Sequence, residues 1–290
     1  MDSIKIILLV IVFLFISLAL RIISWIVLQH FVHNEIIENL LIGSIALIRV
    51  IGFSILYYKY KPEYSEGYCF NPVRLSGLKV AGFGFIIGIA MFSLVYLSVD
   101  FLGGINQSRL LLNGKELFYP ACMIFVSTVI NAAWEEYTFR GLVFTTLPHK
   151  IGGVATALSI GTLFGLPHLT NPKSTPEAIV SVAFAGVLIS FSMLYFKDIS
   201  FPIGIHVGWN FTQSMLTLEK INEISWGDSE KLTGGQYGLE ASWPGIIVTG
   251  IATIVFMFIY LNRKTDKALE WNGCKFPNFN LLSRDYLLAS

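Results

Sequence analysis

The chain has 290 residues, of which 54% are hydrophobic and only 13% charged, and its formal net charge is +1. Soluble domains carry roughly 25% charged residues, so so few charges on a chain this long point to a membrane protein rather than one large soluble core. The near-zero net charge lacks the basic footprint of a nucleic-acid binder, and the three cysteines (Cys69, Cys122 and Cys274) have neither the density of a disulfide framework nor zinc-type spacing.

In chain order, eight apolar stretches approach the roughly 20 residues that cross a bilayer as a helix. They cover residues 4–28, 36–58, 80–101, 118–147, 151–168, 177–196, 201–218 and 243–261. The first is too long for a signal-peptide core of roughly 7–15 residues and reads as a retained span. None shows strict period-two alternation, so the expected fold is an all-α polytopic membrane protein with about eight transmembrane helices. Three regions are expected: N-terminal helices over 1–117, a core over 118–218, and an acidic loop, last helix and tail over 219–290.

Loop charges suggest an orientation. Lys59, Lys61, Arg74 and Lys79 follow the second stretch, and Arg263, Lys264, Lys267, Lys275 and Arg284 follow the eighth. The positive-inside rule then puts both termini in the cytoplasm, and the absence of targeting signals fits a bacterial plasma membrane.

Ionisable groups inside spans cost several kcal/mol by insertion scales and are functional candidates by default. The fourth stretch contains NAAWEEYTFRGLVF with Glu135, Glu136 and Arg140; the fifth ends LFGLPHL with Phe164 and His168; the seventh contains PIGIHVGWNF with His206 and Asn210. Residues four apart share a helix face. Glu136 and Arg140 can therefore pair, Glu135 points about 100° away from Glu136, and His206 and Asn210 can face one cavity. Taken singly, each group has a structural reading: an ion pair, a packed histidine, or interhelical hydrogen bonding. Two carboxylates, two histidines, an amide and an arginine on three spans are harder to explain as packing.

In this order, Glu-Glu-x-x-x-Arg at 135–140, Phe-x-x-x-His at 164–168 and His-x-x-x-Asn at 206–210 resemble the CPBP intramembrane proteases, the CAAX prenyl endopeptidase and bacteriocin-processing (Abi) family. The resemblance covers roughly residues 118–211. It implies an active site between helices four, five and seven that hydrolyses a peptide bond in a membrane-associated or prenylated substrate. Glu135 would be the general base and His168 would orient the water. His206 and Asn210 would stabilise the oxyanion, supported by Glu136, Arg140 and Phe164. Glu135, His168 and His206 are also the ligand types of a catalytic zinc site, so a single divalent metal stays open, with the metal-free arrangement preferred. The implied partners are a membrane-associated peptide or protein and the lipid bilayer, with no nucleic acid.

Two other classes carry weight: a catalytically silent member acting as an immunity or scaffold protein, and a transporter or proton relay. The transporter lacks an inverted repeat or paired broken helices in the sequence. A simple hairpin arrangement also conflicts with one site. It places His168 near the outer end of the fifth span and His206 near the inner end of the seventh, so that span five must tilt or the segment at Phe201 must enter deeper.

Overall fold

The computed structural model describes residues 75–144, 147, 151–171 and 173–262, with isolated positions 8, 12, 48, 51, 52 and 55. The first two expected spans and the C-terminal tail lie outside the continuous described segments. The elements are α1 (Leu75–Phe101), β1 (Ile105–Leu110), α2 (Gly114–Glu136) continued by a π turn (Tyr137–Val143), and α3 (Gly153–Leu163) with a 3-10 turn (Leu166–Thr170). Next come α4 (Pro176–Phe196), α5 (Ser200–Thr217), β2 (Asn222–Trp226), a short α6 (Glu230–Thr233), a 3-10 turn (Leu239–Ala241) and α7 (Trp243–Leu261).

Six of the eight expected spans coincide with described helices. Four helices have the length and composition to cross a membrane: Leu75–Phe101, Gly114–Gly141, Pro176–Phe196 and Trp243–Leu261. The expected fifth span is instead a shorter apolar helix, Gly153–Leu169. The 18-residue α5 is largely buried, with Phe201, Ile203, Ile205 and Val207 all in the core. It is the central strut against which α1 and α2 pack.

Local chemistry fixes the helix ends. Thr175 Oγ1 accepts from Ala178 N at 3.2 Å and Pro176 opens α4, an N-terminal arrangement that satisfies a backbone donor without a helical partner. Lys197 ends α4 in the left-handed region at φ 50°. One residue on, Asp198 Oδ1 accepts from Ser200 N at 2.9 Å where α5 begins. Ser242 Oγ does the same for α7, accepting from Gly245 N at 3.0 Å.

Glycines set the close contact between α1 and α5. Gly84 and Gly88 on α1 meet Gly204 and Gly208 on α5, both pairs in G-x-x-x-G spacing. A Cβ at Gly88 would lie 2.7 Å from Trp209 N, and one at Gly208 2.9 Å from Phe85 C. Such small-residue stripes let backbones approach where lipid offers no hydrophobic drive for association. Gly88→Leu is therefore expected to destabilise the protein by about 1–3 kcal/mol through overpacking. Gly82→Ala, one to two turns away with no atom within 4 Å of the added Cβ, should change stability by no more than about 1 kcal/mol. Unfolding of the two variants in detergent checks the contrast.

At one end of the bundle, β1 and β2 pair antiparallel from Ile105↔Trp226 to Leu110↔Asn222. Irregular backbone and open sheet edges are not tolerated against lipid, so this cap belongs outside the hydrocarbon layer. Leu239 and Ile105 plug it into the core beside Phe92, Val95 and Val99.

Candidate active site

The geometry begins where α2 changes pitch. Directly after Glu135 and Glu136 the backbone becomes a π turn, kinked within it at Gly141 with φ −75° and ψ −110°. Single π turns inside α-helices often sit at functional sites. Here the turn carries Arg140.

Glu136 and Arg140 are both fully buried. Arg140 Nη1 lies 3.2 Å from Glu136 Oε2, and Nη2 donates to the Gly186 carbonyl at 2.8 Å. The guanidinium carbon also stands 4.5 Å from the centroid of Phe164, within cation–π range. Gly186 can receive the arginine because α3 and α4 touch through glycine there: a Cβ on Gly161 would meet the Val187 backbone, and one on Gly186 would lie 2.9 Å from Phe164 Cβ.

The second oxygen of Glu136 serves His206. Its Oε1 is 2.9 Å from His206 Nδ1. An ionised carboxylate only accepts, so Nδ1 carries the proton and Nε2 is left toward Glu135, whose Oε2 is 3.8 Å away. Glu135 is the more open of the pair, its side chain 26% exposed against 0% for Glu136. Glu135 Oε2 is nevertheless buried and has no hydrogen-bond partner among the described residues.

Phe164 is the hinge of the cluster. Its ring meets His206 edge-on at 6.0 Å and His168 at 5.3 Å. His168 Nδ1 is 3.1 Å from the Phe164 carbonyl; since a carbonyl only accepts, Nδ1–H is the donor, and Nε2 makes no hydrogen bond among the described residues. Despite their distant positions in a simple hairpin arrangement, His168 and His206 meet the same Phe164 ring. The 11 residues of α3 span only about 16 Å at 1.5 Å per residue, roughly half the hydrocarbon core, before the 3-10 turn presents His168.

Contacts thus join Glu135, Glu136, Arg140, Phe164 and His206 directly, and His168 through the Phe164 ring. Asn210 lies one turn beyond His206 on α5 and is half-buried. Among the described residues neither Asn210 nor His168 is hydrogen-bonded to the carboxylates or to Arg140. Three participants were not expected from sequence: the Gly186 carbonyl, Phe139, whose ring packs edge-on against Phe164 at 5.1 Å, and the Glu136–His206 hydrogen bond. The only sequence hint was the glycine pair Gly161 and Gly186, which permits two backbones to meet.

Among the described residues no three His, Cys, Asp or Glu side chains converge as a metal-holding group. Of the expected ligand set, Glu135 and His206 face each other at 3.8 Å, while His168 meets the cluster through the Phe164 ring.

Apolar helices around a buried cluster of carboxylate, imidazole and guanidinium define an integral membrane protein with a polar site between its helices. Residues 117–212 match the family described as Type II CAAX prenyl endopeptidase Rce1-like, and this match bears out the resemblance to the CPBP/CAAX protease family, a family of membrane-embedded hydrolases. The matched segment runs from α2 through most of α5 and contains every site residue named above. No curated protein matches the chain.

Proposed function

We propose that the protein is an intramembrane endopeptidase that cleaves a membrane-associated or prenylated peptide with a water activated by Glu135. The observation that carries this reading is Glu135 Oε2, which has no hydrogen-bond partner among the described residues and faces His206 Nε2 across 3.8 Å inside the family-matched segment. A general base needs an open lone pair within reach of the proton it removes.

The tautomers sharpen each role. His168, holding its proton on Nδ1, offers Nε2 as an acceptor that orients the attacking water beside Glu135. Neutral His206 cannot donate from Nε2 while Nδ1–H is bound to Glu136. Its imidazolium form can, and then two carboxylates, one guanidinium and one imidazolium sum to zero charge. In that form His206 and the Asn210 amide donate to the oxyanion of the tetrahedral intermediate, the kind of fixed dipole that dominates acyl-transfer catalysis. Glu135 then passes the water's proton to the leaving amine.

Basic residues before α1 support placing its start in the cytoplasm of a bacterial plasma membrane, with both termini on that side. The C-terminal end of α2 and the second turn of α5 then lie in the cytoplasmic half, so the site would open toward cytoplasmic chain termini anchored in that leaflet.

Purified protein offered a library of membrane-anchored and prenylated peptides is expected to cut, with His206→Ala inactive yet folded. Failure of the folded wild type to cut any member would instead favour a silent scaffold. Cleavage is also expected to persist after exhaustive chelation. Activity lost to the chelator and restored by zinc alone would overturn the metal-free scheme.

A further inference from the structure

The connection between β2 and α7, outside the family-matched segment, is hydrogen-bonded to residues close in sequence to both site histidines. Tyr237 and Glu240 sit three residues apart in it, both half-buried. Asn171 Nδ2 donates to Tyr237 OH at 3.3 Å, and Trp209 Nε1 donates to Glu240 Oε1 at 2.8 Å. Asn171 lies three residues after His168, and Trp209 three residues after His206. One short segment thus grips the 3-10 turn that presents one imidazole and the helix that presents the other.

The segment is stiff enough to hold them. Leu239, between the two contacts, is 1% exposed in the cluster with Phe92, Val95, Val99 and Ile105. Its carbonyl accepts from Ser242 Oγ at 2.6 Å, which ties it to the first turn of α7. Gly234 and Gly238 take φ +75° and +100°, conformations that glycine adopts without steric cost. Beyond a Cβ at Gly234 lies backbone, with Ser242 N 3.0 Å away. Trp209 is held from its other side by Phe92, edge-on at 5.2 Å.

We infer that Tyr237 and Glu240 form a clamp that sets the separation of His168 and His206, making them positioning residues of the site. This rests on the peptidase reading for its catalytic consequence but not for the clamp itself. A group that only orients others acts on the chemical step, and displacements near 1 Å can cost up to about a hundredfold. Glu240→Ala is expected to lower kcat by about tenfold or more with KM changed less than about twofold. Glu240→Gln keeps an oxygen for Trp209 Nε1–H and is expected to restore most of the loss.

The test pairs cleavage kinetics with amide hydrogen exchange of the full-length protein in detergent. Glu240→Ala should speed exchange both in residues 164–171 and in residues 205–213, and Tyr237→Phe should do so in the first segment. Faster exchange with a reduced kcat, rescued by Glu240→Gln, is the expected result. Exchange altered only in 205–213, or unaltered, overturns the clamp. Faster exchange with unchanged kcat and KM overturns its positioning role. If the wild type cuts nothing, the peptidase reading falls, while exchange in the two segments still decides the clamp.

Discussion

Glu135→Gln is expected to lower peptide cleavage by about 10²–10⁴-fold, the usual contribution of a positioned general base. The substitution keeps the size and shape of the side chain and removes the lone-pair basicity. It leaves intact the buried contacts of Glu136 to Arg140 and to His206. Because the Glu135 side chain is partly exposed and its ion-pair contact among the described residues is as long as 3.8 Å, stability should shift by no more than about 0.5 kcal/mol. Loss of turnover would therefore report chemistry rather than unfolding. The measurement is single-turnover cleavage of whichever peptide the wild type cuts, alongside thermal unfolding of both proteins. A variant within about threefold of wild type would remove Glu135 from the base role and leave His168 Nε2 as the next candidate.

Much of this site was legible from residue type and spacing. The cost of burying charge marks Glu135, Glu136 and Arg140 in an otherwise apolar stretch, and a four-residue separation predicts the Glu136–Arg140 pair that the structure contains. Spacing could not reveal what crosses between helices. The Glu136–His206 bond joins residues 70 positions apart, and the Arg140–Gly186 bond residues 46 apart. No periodicity encodes such contacts; only packing of α2, α4 and α5 creates them. The π turn was invisible for a related reason, since one extra residue per turn leaves an apolar helix pattern almost unchanged.

The span count shows a second limit. Hydropathy predicts a fifth span of ordinary length over residues 151–168. The sequence there contains Gly165 and Pro167, and the α-helix stops at Leu163. A half-length helix and a lipid-crossing one are both apolar, so composition cannot separate them; the glycine and proline before His168 were the better guide. The G-x-x-x-G pairs of α1 and α5 were likewise readable as motifs, but which helices they join depends on topology.

Arg140→Met is expected to destabilise the protein by about 3–5 kcal/mol, the typical cost of stranding one partner of a buried ion pair. Methionine fills most of the guanidinium's path against Phe164, so the loss comes chiefly from Glu136, which would remain buried with only His206 to balance it. The Gly186 carbonyl would also lose its side-chain donor. Adding Glu136→Gln removes the stranded charge. The double variant is therefore expected to recover a large part of the lost stability, because replacing a whole buried pair with neutral groups is often close to neutral. It should not recover cleavage: a glutamine amide still accepts from His206 Nδ1–H, but it no longer stabilises the imidazolium that donates to the oxyanion. Thermal or denaturant unfolding of the two single variants and the double, with cleavage measured on each, separates these effects. Equal stability of Arg140→Met and wild type would show that the pair does not hold the helices together. Full activity in the double variant would show that Glu136 does not act through His206. Stability restored while activity stays lost is the outcome required by a carboxylate that serves both the fold, through Arg140, and the chemistry, through His206.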